Sequence, residues 1–80
     1  MGYTIRSMAK SIHTKDYLEV IDRLKKTRLK AGLSQQEVAK KLGKPQSYIS
    51  KIESGERRLD VAEIKAFAKI YNKQTSFFIG

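Results

Sequence analysis

The chain has no cysteine, which removes a disulfide framework, a thiolate nucleophile and any zinc site with sulfur ligands. Its single histidine, His13, stands far from any carboxylate cluster. A multi-histidine metal centre is therefore excluded, and nothing points to a general-base role for that ring. Tryptophan is absent, proline occurs once and glycine five times, well below the content of a low-complexity chain. No unbroken apolar run exceeds three residues, as at residues 77 to 79. That is too short for a signal-peptide core or a membrane span, so no membrane association is expected and a cytoplasmic location fits. Acidic residues are scarce: 8 Asp and Glu stand against 17 Lys and Arg, for a net charge of +9.

What is present suits one small folded domain. Eighty residues, 40% of them hydrophobic and 31% charged, can support one modest core but not a two-domain enzyme. The basic excess is spread along the chain rather than gathered in a tail, and it suggests a polyanionic partner, although a merely solvated basic surface would give the same sum. Residues 1 to 13 lack helical or alternating periodicity and are expected to form a flexible arm ahead of a domain over residues 14 to 80. Arg6 and Lys10 are the arm's candidates for reaching a groove. Met8 is a second candidate start, in which case residues 1 to 7 would not be native.

From Thr14, a candidate N-cap, the apolar residues Tyr17, Val20, Ile21 and Leu24 follow helical spacing up to Gly32, predicting helix 1 over about 15 to 31. Ser34 and Glu37 form a capping box, with Leu33 and Val38 as its hydrophobic staple, and Gly43 ends this second helix. Pro45 suits the first position of helix 3, expected over 45 to 53. Leu59, Asp60, Glu63 and Ile64 repeat the staple and box, and Ile64, Phe67, Ala68 and Tyr71 give the i, i+3, i+4, i+7 pattern of helix 4, over 61 to 71. Asn72 can end that helix in the left-handed conformation, and a short fifth helix is expected from Thr75. No run reads as a strand, so the fold class is all-α.

Two short helices joined through Gly43 and Lys44 should cross steeply, as in a helix-turn-helix, whose second helix can enter a major groove. On helix 3, Ile49 and Ile52 supply the only strongly apolar stripe. Opposite them Gln46, Ser47, Ser50, Lys51 and Ser54 make a polar face free of carboxylates, with Lys44 at its start. A planar Gln amide matches the N6 and N7 edge of adenine, Ser adapts to several bases, and Lys suits guanine or phosphate. Gln46, Ser47, Ser50 and Lys51 are therefore the candidate base readers. Ser34, Gln35 and Gln36, at the start of helix 2, sit where free amides and the helix dipole can hold a phosphate, though an ordinary N-cap would look the same. Lys44, Ser54, Arg57 and Arg58 complete the phosphate candidates. Tyr48 has two readings: packing against helix 2, or a hydroxyl at a phosphate. Arg28 and Glu53 are expected to form a structural ion pair, since a shielded Arg needs a carboxylate. Phe77, Phe78 and Ile79 either form a dimer surface or fill the core beneath helix 4.

The stretch from Arg28 to Asp60, with its GLSQQEVAKKLG run, its IS-KIESG run and the ERRLD loop, strongly resembles the helix-turn-helix family of the lambda and 434 repressors and Cro, often called Xre-like. The likeness spans residues 17 to 79 and implies a compact five-helix domain that binds duplex DNA as a homodimer, with helix 3 in the major groove. It further implies that Gln35 holds a phosphate while supporting Gln46 on a base edge, that Ser47, Ser50 and Lys51 contact bases or phosphate, and that Arg28 pairs with Glu53. One departure is Pro45, which stands where the family commonly has a capping Ser or Thr; another is the short end of the chain, after which effector control is not expected.

The expectation is thus a sequence-specific double-stranded DNA-binding transcriptional regulator, a repressor from a bacterium or phage, nucleoid-associated and acting on a palindromic operator. The alternative is the antitoxin of a toxin-antitoxin pair, which binds a toxin protein as well as its own operator. No enzyme activity, cofactor or metal is expected.

Overall fold

A computed structural model describes residues 15 to 79; the expected arm, the Thr14 cap and Gly80 lie outside the described residues. Five helices follow one another: α1 Lys15–Lys30, α2 Gln35–Leu42, α3 Gln46–Glu53, α4 Val61–Ile70 and α5 Ser76–Ile79. Among the described residues the fold is all-helical, as the sequence predicts.

The start of each central helix has a local cause. At α2 the Ser34 Oγ accepts from the Glu37 amide at 3.0 Å while Glu37 Oε1 accepts from the Ser34 amide at 2.8 Å, closing the capping box. At α4 Asp60 and Glu63 repeat it at 2.8 and 2.9 Å. Pro45 proves to be the N-cap of α3 rather than its first helical residue: at ψ 157° it is extended, and it has no side-chain oxygen to offer. That ψ is what keeps it out of the helix.

The ends share one device. A left-handed residue lets the following amide reach back across the last turn, as Lys44 N donates to Ala39 O at 2.9 Å beyond Gly43, at φ 70°. The same closure recurs after α1, α3 and α4, where Lys73 N donates to Ala68 O at 2.8 Å past Asn72. Asn72 is the one non-glycine at positive φ among the described residues.

Leu24 of α1, Val38 and Ala39 of α2, Ile49 and Ile52 of α3, Leu59, then Ile64, Phe67 and Ala68 of α4 and Phe78 of α5 converge on one core. Full burial of such a side chain is worth about 1.5 to 3 kcal/mol, so these contacts decide the packing. α2 and α3 pack together most extensively, α3 also meets α1, and α5 bridges α1 and α4. Phe78 is completely buried and so is removed from the expected dimer surface: it fills the core, with its ring 6.2 Å from that of Tyr71. Phe77 and Ile79 remain about half exposed. α5 is too short to bury all three, because residues one apart on a helix point in different directions.

Candidate nucleic-acid interface

The site is built outward from the core. Arg28, on the inner side of α1, is buried and meets Glu53 at the end of α3: Nε donates to Oε2 at 2.7 Å and Nη2 to Oε1 at 3.0 Å. Both side chains are more than nine-tenths shielded from water. The paired fork raises the pKa of the guanidinium chiefly through its hydrogen bond to Glu53. A third donor, Nη1, satisfies the Leu33 carbonyl at 2.8 Å, tying the α1–α2 turn to the pair.

From there a chain of hydrogen bonds leads to the surface. Gln35 Nε2 donates to Glu53 Oε1 at 3.0 Å, and Gln46 Nε2 donates to Gln35 Oε1 at 2.6 Å. An ionised carboxylate can only accept, so the amide nitrogen of Gln35 must face it and its oxygen must face away. That oxygen then demands the nitrogen of Gln46. Gln46 is left with its oxygen and one N–H unclaimed, on an exposed side chain.

Around Gln46 lie the other exposed polar groups of α3, Ser47 and Lys51, whereas Ser50 is half-buried. Of the α2 residues, Ser34 serves as the cap, and Gln36 is exposed. Ser54, an expected phosphate ligand, is turned to local use: its hydroxyl lies 3.1 Å from Lys51 O and 2.8 Å from Glu56 Oε2. Its single proton is taken by these acceptors, and the carboxylate beside it would repel an anion.

Of the two readings of Tyr48, the structure agrees with packing: the ring is half-buried against the core. Its hydroxyl donates to Glu63 Oε2 at 2.6 Å, so the proton that would meet a phosphate is committed to α4. Burial, followed by the bond to Glu63, raises the pKa of this phenol well above its ordinary value. The ring is nonetheless useful: the Arg57 guanidinium carbon lies 4.7 Å from its centroid and Lys44 Nζ 5.4 Å, within cation–π range. Two expected phosphate ligands thus gather on one aromatic ring. Arg58 is exposed in the same loop.

Three contributions went unread in the sequence. Glu63 was seen only as a capping partner, yet its second oxygen takes both Tyr48 and, at 2.9 Å, Arg57 Nη1. Burial pushes the pKa of its carboxyl up, but the bonds from Tyr48, the Asp60 amide and Arg57 outweigh that and hold it below the ordinary glutamate value. Tyr17 passes for a core residue by spacing, yet its hydroxyl donates to Arg57 O at 3.0 Å and accepts from Leu59 N at 2.7 Å. Arg23 Nη1 donates to Phe78 O at 3.2 Å. The available signal was the unclaimed oxygen that a capping-box Glu leaves over; nothing local marks Tyr17 or Arg23, whose partners lie 40 or more residues away.

Among the described residues no cluster of His, Cys, Asp or Glu could hold a metal ion, and no helix is long and apolar enough to cross a membrane. No curated protein matches the chain. A family model described as helix-turn-helix matches residues 24–78, the span holding α2, α3 and every group of the hydrogen-bond chain described above. The two capped helices around Gly43, the glutamine-bearing face of α3 and this match agree: the chain belongs to the helix-turn-helix family of Xre and lambda-repressor type, whose members are DNA-binding regulators.

Proposed function

We propose that this DNA-binding regulator is a repressor that acts by occupancy, as a homodimer on a palindromic operator, with α3 of each copy in a major groove. The observation carrying the reading is the chain from Glu53 through Gln35 to Gln46, which turns the Gln46 amide nitrogen toward Gln35 and leaves its oxygen and second N–H unclaimed. The oxygen and remaining N–H of that amide suit adenine N6 and N7, and each good bidentate contact is worth about 1 to 3 kcal/mol of discrimination. Lys51 and Ser47, exposed on the same helix, and the half-buried Ser50 are the other base-reading candidates.

Affinity would come from Lys44, Arg57 and Arg58, from the start of α2 at Ser34, Gln35 and Gln36, and from the net charge of +9, through release of condensed counterions and hence with steep salt dependence. Gln35 keeps one N–H for a phosphate while holding Gln46. A single domain of this size reads few base pairs; two copies with half-sites about one helical turn apart supply the rest. Phe77 and Ile79, both exposed, are the candidate dimer contacts.

Selection of bound duplexes from a random pool tests the assignment. Wild type should return a two-fold-symmetric consensus, and Gln46→Ala should lose preference at one position in each half. An unchanged consensus would remove Gln46 from base reading. An antitoxin would share this interface, and the two readings part on whether a toxin protein copurifies stably with the chain.

A further inference from the structure

The loop between α3 and α4 is bound more tightly than a simple connection requires. Arg57 is held at its backbone by two bonds, its amide donating to Lys51 O at 3.1 Å and its carbonyl accepting from the Tyr17 hydroxyl at 3.0 Å. Its guanidinium is held at one end only. Nη1 meets Glu63 Oε2 and the Arg58 carbonyl, each at 2.9 Å, and the plane rests near the Tyr48 ring, whose hydroxyl is bonded to the same Glu63 oxygen. Among the described residues no protein hydrogen bond reaches Nε or Nη2, and the side chain is two-fifths exposed. An Arg fork binds a phosphate through two parallel N–H groups, and the Nε–Nη2 edge offers such a pair.

With Arg57 two-fifths exposed and Glu63 about one-fifth, the ion pair is partly screened by water, and its modest stabilisation does not by itself explain why the guanidinium is held at one end with its other edge open. Ordering is a better one: an arginine already immobilised loses less side-chain freedom on binding. We propose that Glu63 is a positioning residue for DNA, holding Arg57 against Tyr48 so that its Nε–Nη2 edge takes one backbone phosphate. Glu63 also caps α4, so the loop's arginine and the helix behind it move as one piece. This rests on the DNA-binding reading above.

The test is a double-mutant cycle on a duplex recovered with wild type, using Glu63→Gln, Arg57→Ala and both together. Gln also serves as the box partner of a capping residue, so Glu63→Gln keeps α4 capped while removing the charge that anchors Arg57. Each single change should weaken binding about tenfold, the scale of one charged hydrogen bond, with the selected sequence unchanged. The double variant should bind no more weakly than Arg57→Ala alone. Additive losses would show Glu63 acting elsewhere, and tighter binding by Glu63→Gln would show it competing with phosphate; either overturns the inference while leaving DNA binding intact. Arg57→Lys is a second check, because lysine keeps the charge but cannot be anchored by one edge while offering another. Wild-type affinity in that variant would also overturn it. Failure of wild type to recover any duplex would instead sink the parent reading and this one with it.

Discussion

Glu53 Oε1 stands 3.0 Å from Gln35 Nε2, so the carboxylate that neutralises buried Arg28 also sets the direction of the hydrogen bonds out to the exposed face of α3. The polarity cannot be reversed without placing two acceptors together. Gln35→Ala should therefore free Gln46 to rotate while leaving Arg28 and Glu53 paired. Competition between duplexes differing at one base pair should show about 1 to 3 kcal/mol of discrimination lost there, with the melting temperature changed little. Retained discrimination would mean that Gln46 needs no support.

The same carboxylate cannot be removed so cheaply. Arg28→Ala or Glu53→Ala strands a shielded charge and should cost about 3 to 5 kcal/mol, against a typical total stability of about 5 to 15 kcal/mol. Replacing both partners, Arg28→Met with Glu53→Leu, should recover most of that loss in urea unfolding. The recovered protein should still lack the sequence preference proposed for Gln35 and Gln46, separating the pair's structural and orienting roles. A cost below about 1 kcal/mol for either single change would contradict the burial observed.

The helices were legible because their signals are local. Ser34 with Glu37 and Asp60 with Glu63 mark two starts within four residues each, and Gly32, Gly43, Gly55 and Asn72 mark ends. The pairing of Arg28 with Glu53, 25 residues apart, was legible through charge: a basic residue on an apolar helix face requires a partner. For Tyr48 packing was legible but the partner of its hydroxyl was not, because packing and phosphate contact need the same amphipathic ring, and only the fold brings Glu63, 15 residues on, to that hydroxyl. Ser54 was misread for a related reason. Its place on the polar face is as expected, but a hydroxyl at a helix end has local acceptors within reach, here the Lys51 carbonyl and the Glu56 carboxylate.

Gly43 sets the angle at which α3 leaves α2, and it is at φ 70° with open space where a Cβ would stand. Gly43→Ala should then carry only the backbone cost of a left-handed alanine, about 1 to 2 kcal/mol, with no steric clash. Equilibrium unfolding should show that loss with an unchanged denaturant slope. A loss several times larger would point to a rearranged turn rather than local strain.

The two ends of the pH range should unfold the domain through different groups. On the acid side, Glu63 has a lowered folded pKa, so its contribution is complete above the ordinary glutamate range and is lost as pH falls through the folded value. On the alkaline side the sign is opposite. The Tyr71 phenol is pushed up to about 12, first by burial and then by the negative charge of Glu53, against the opposing pull of Arg28. Its neutral form is favoured in the fold, so that contribution is complete below the ordinary tyrosine value of about 10 and disappears as pH climbs toward the folded value. Tyr71→Phe keeps the ring that lies 6.4 Å from Phe67 and 6.2 Å from Phe78, and removes the ionisation. Melting temperatures from pH 8 to pH 11.5 should fall less steeply in that variant than in wild type, the residual slope coming from Tyr48 and Tyr17, whose pKa values are also raised by burial. Parallel curves for the two proteins would place the alkaline weakness in those other tyrosines and not beside the Arg28–Glu53 pair.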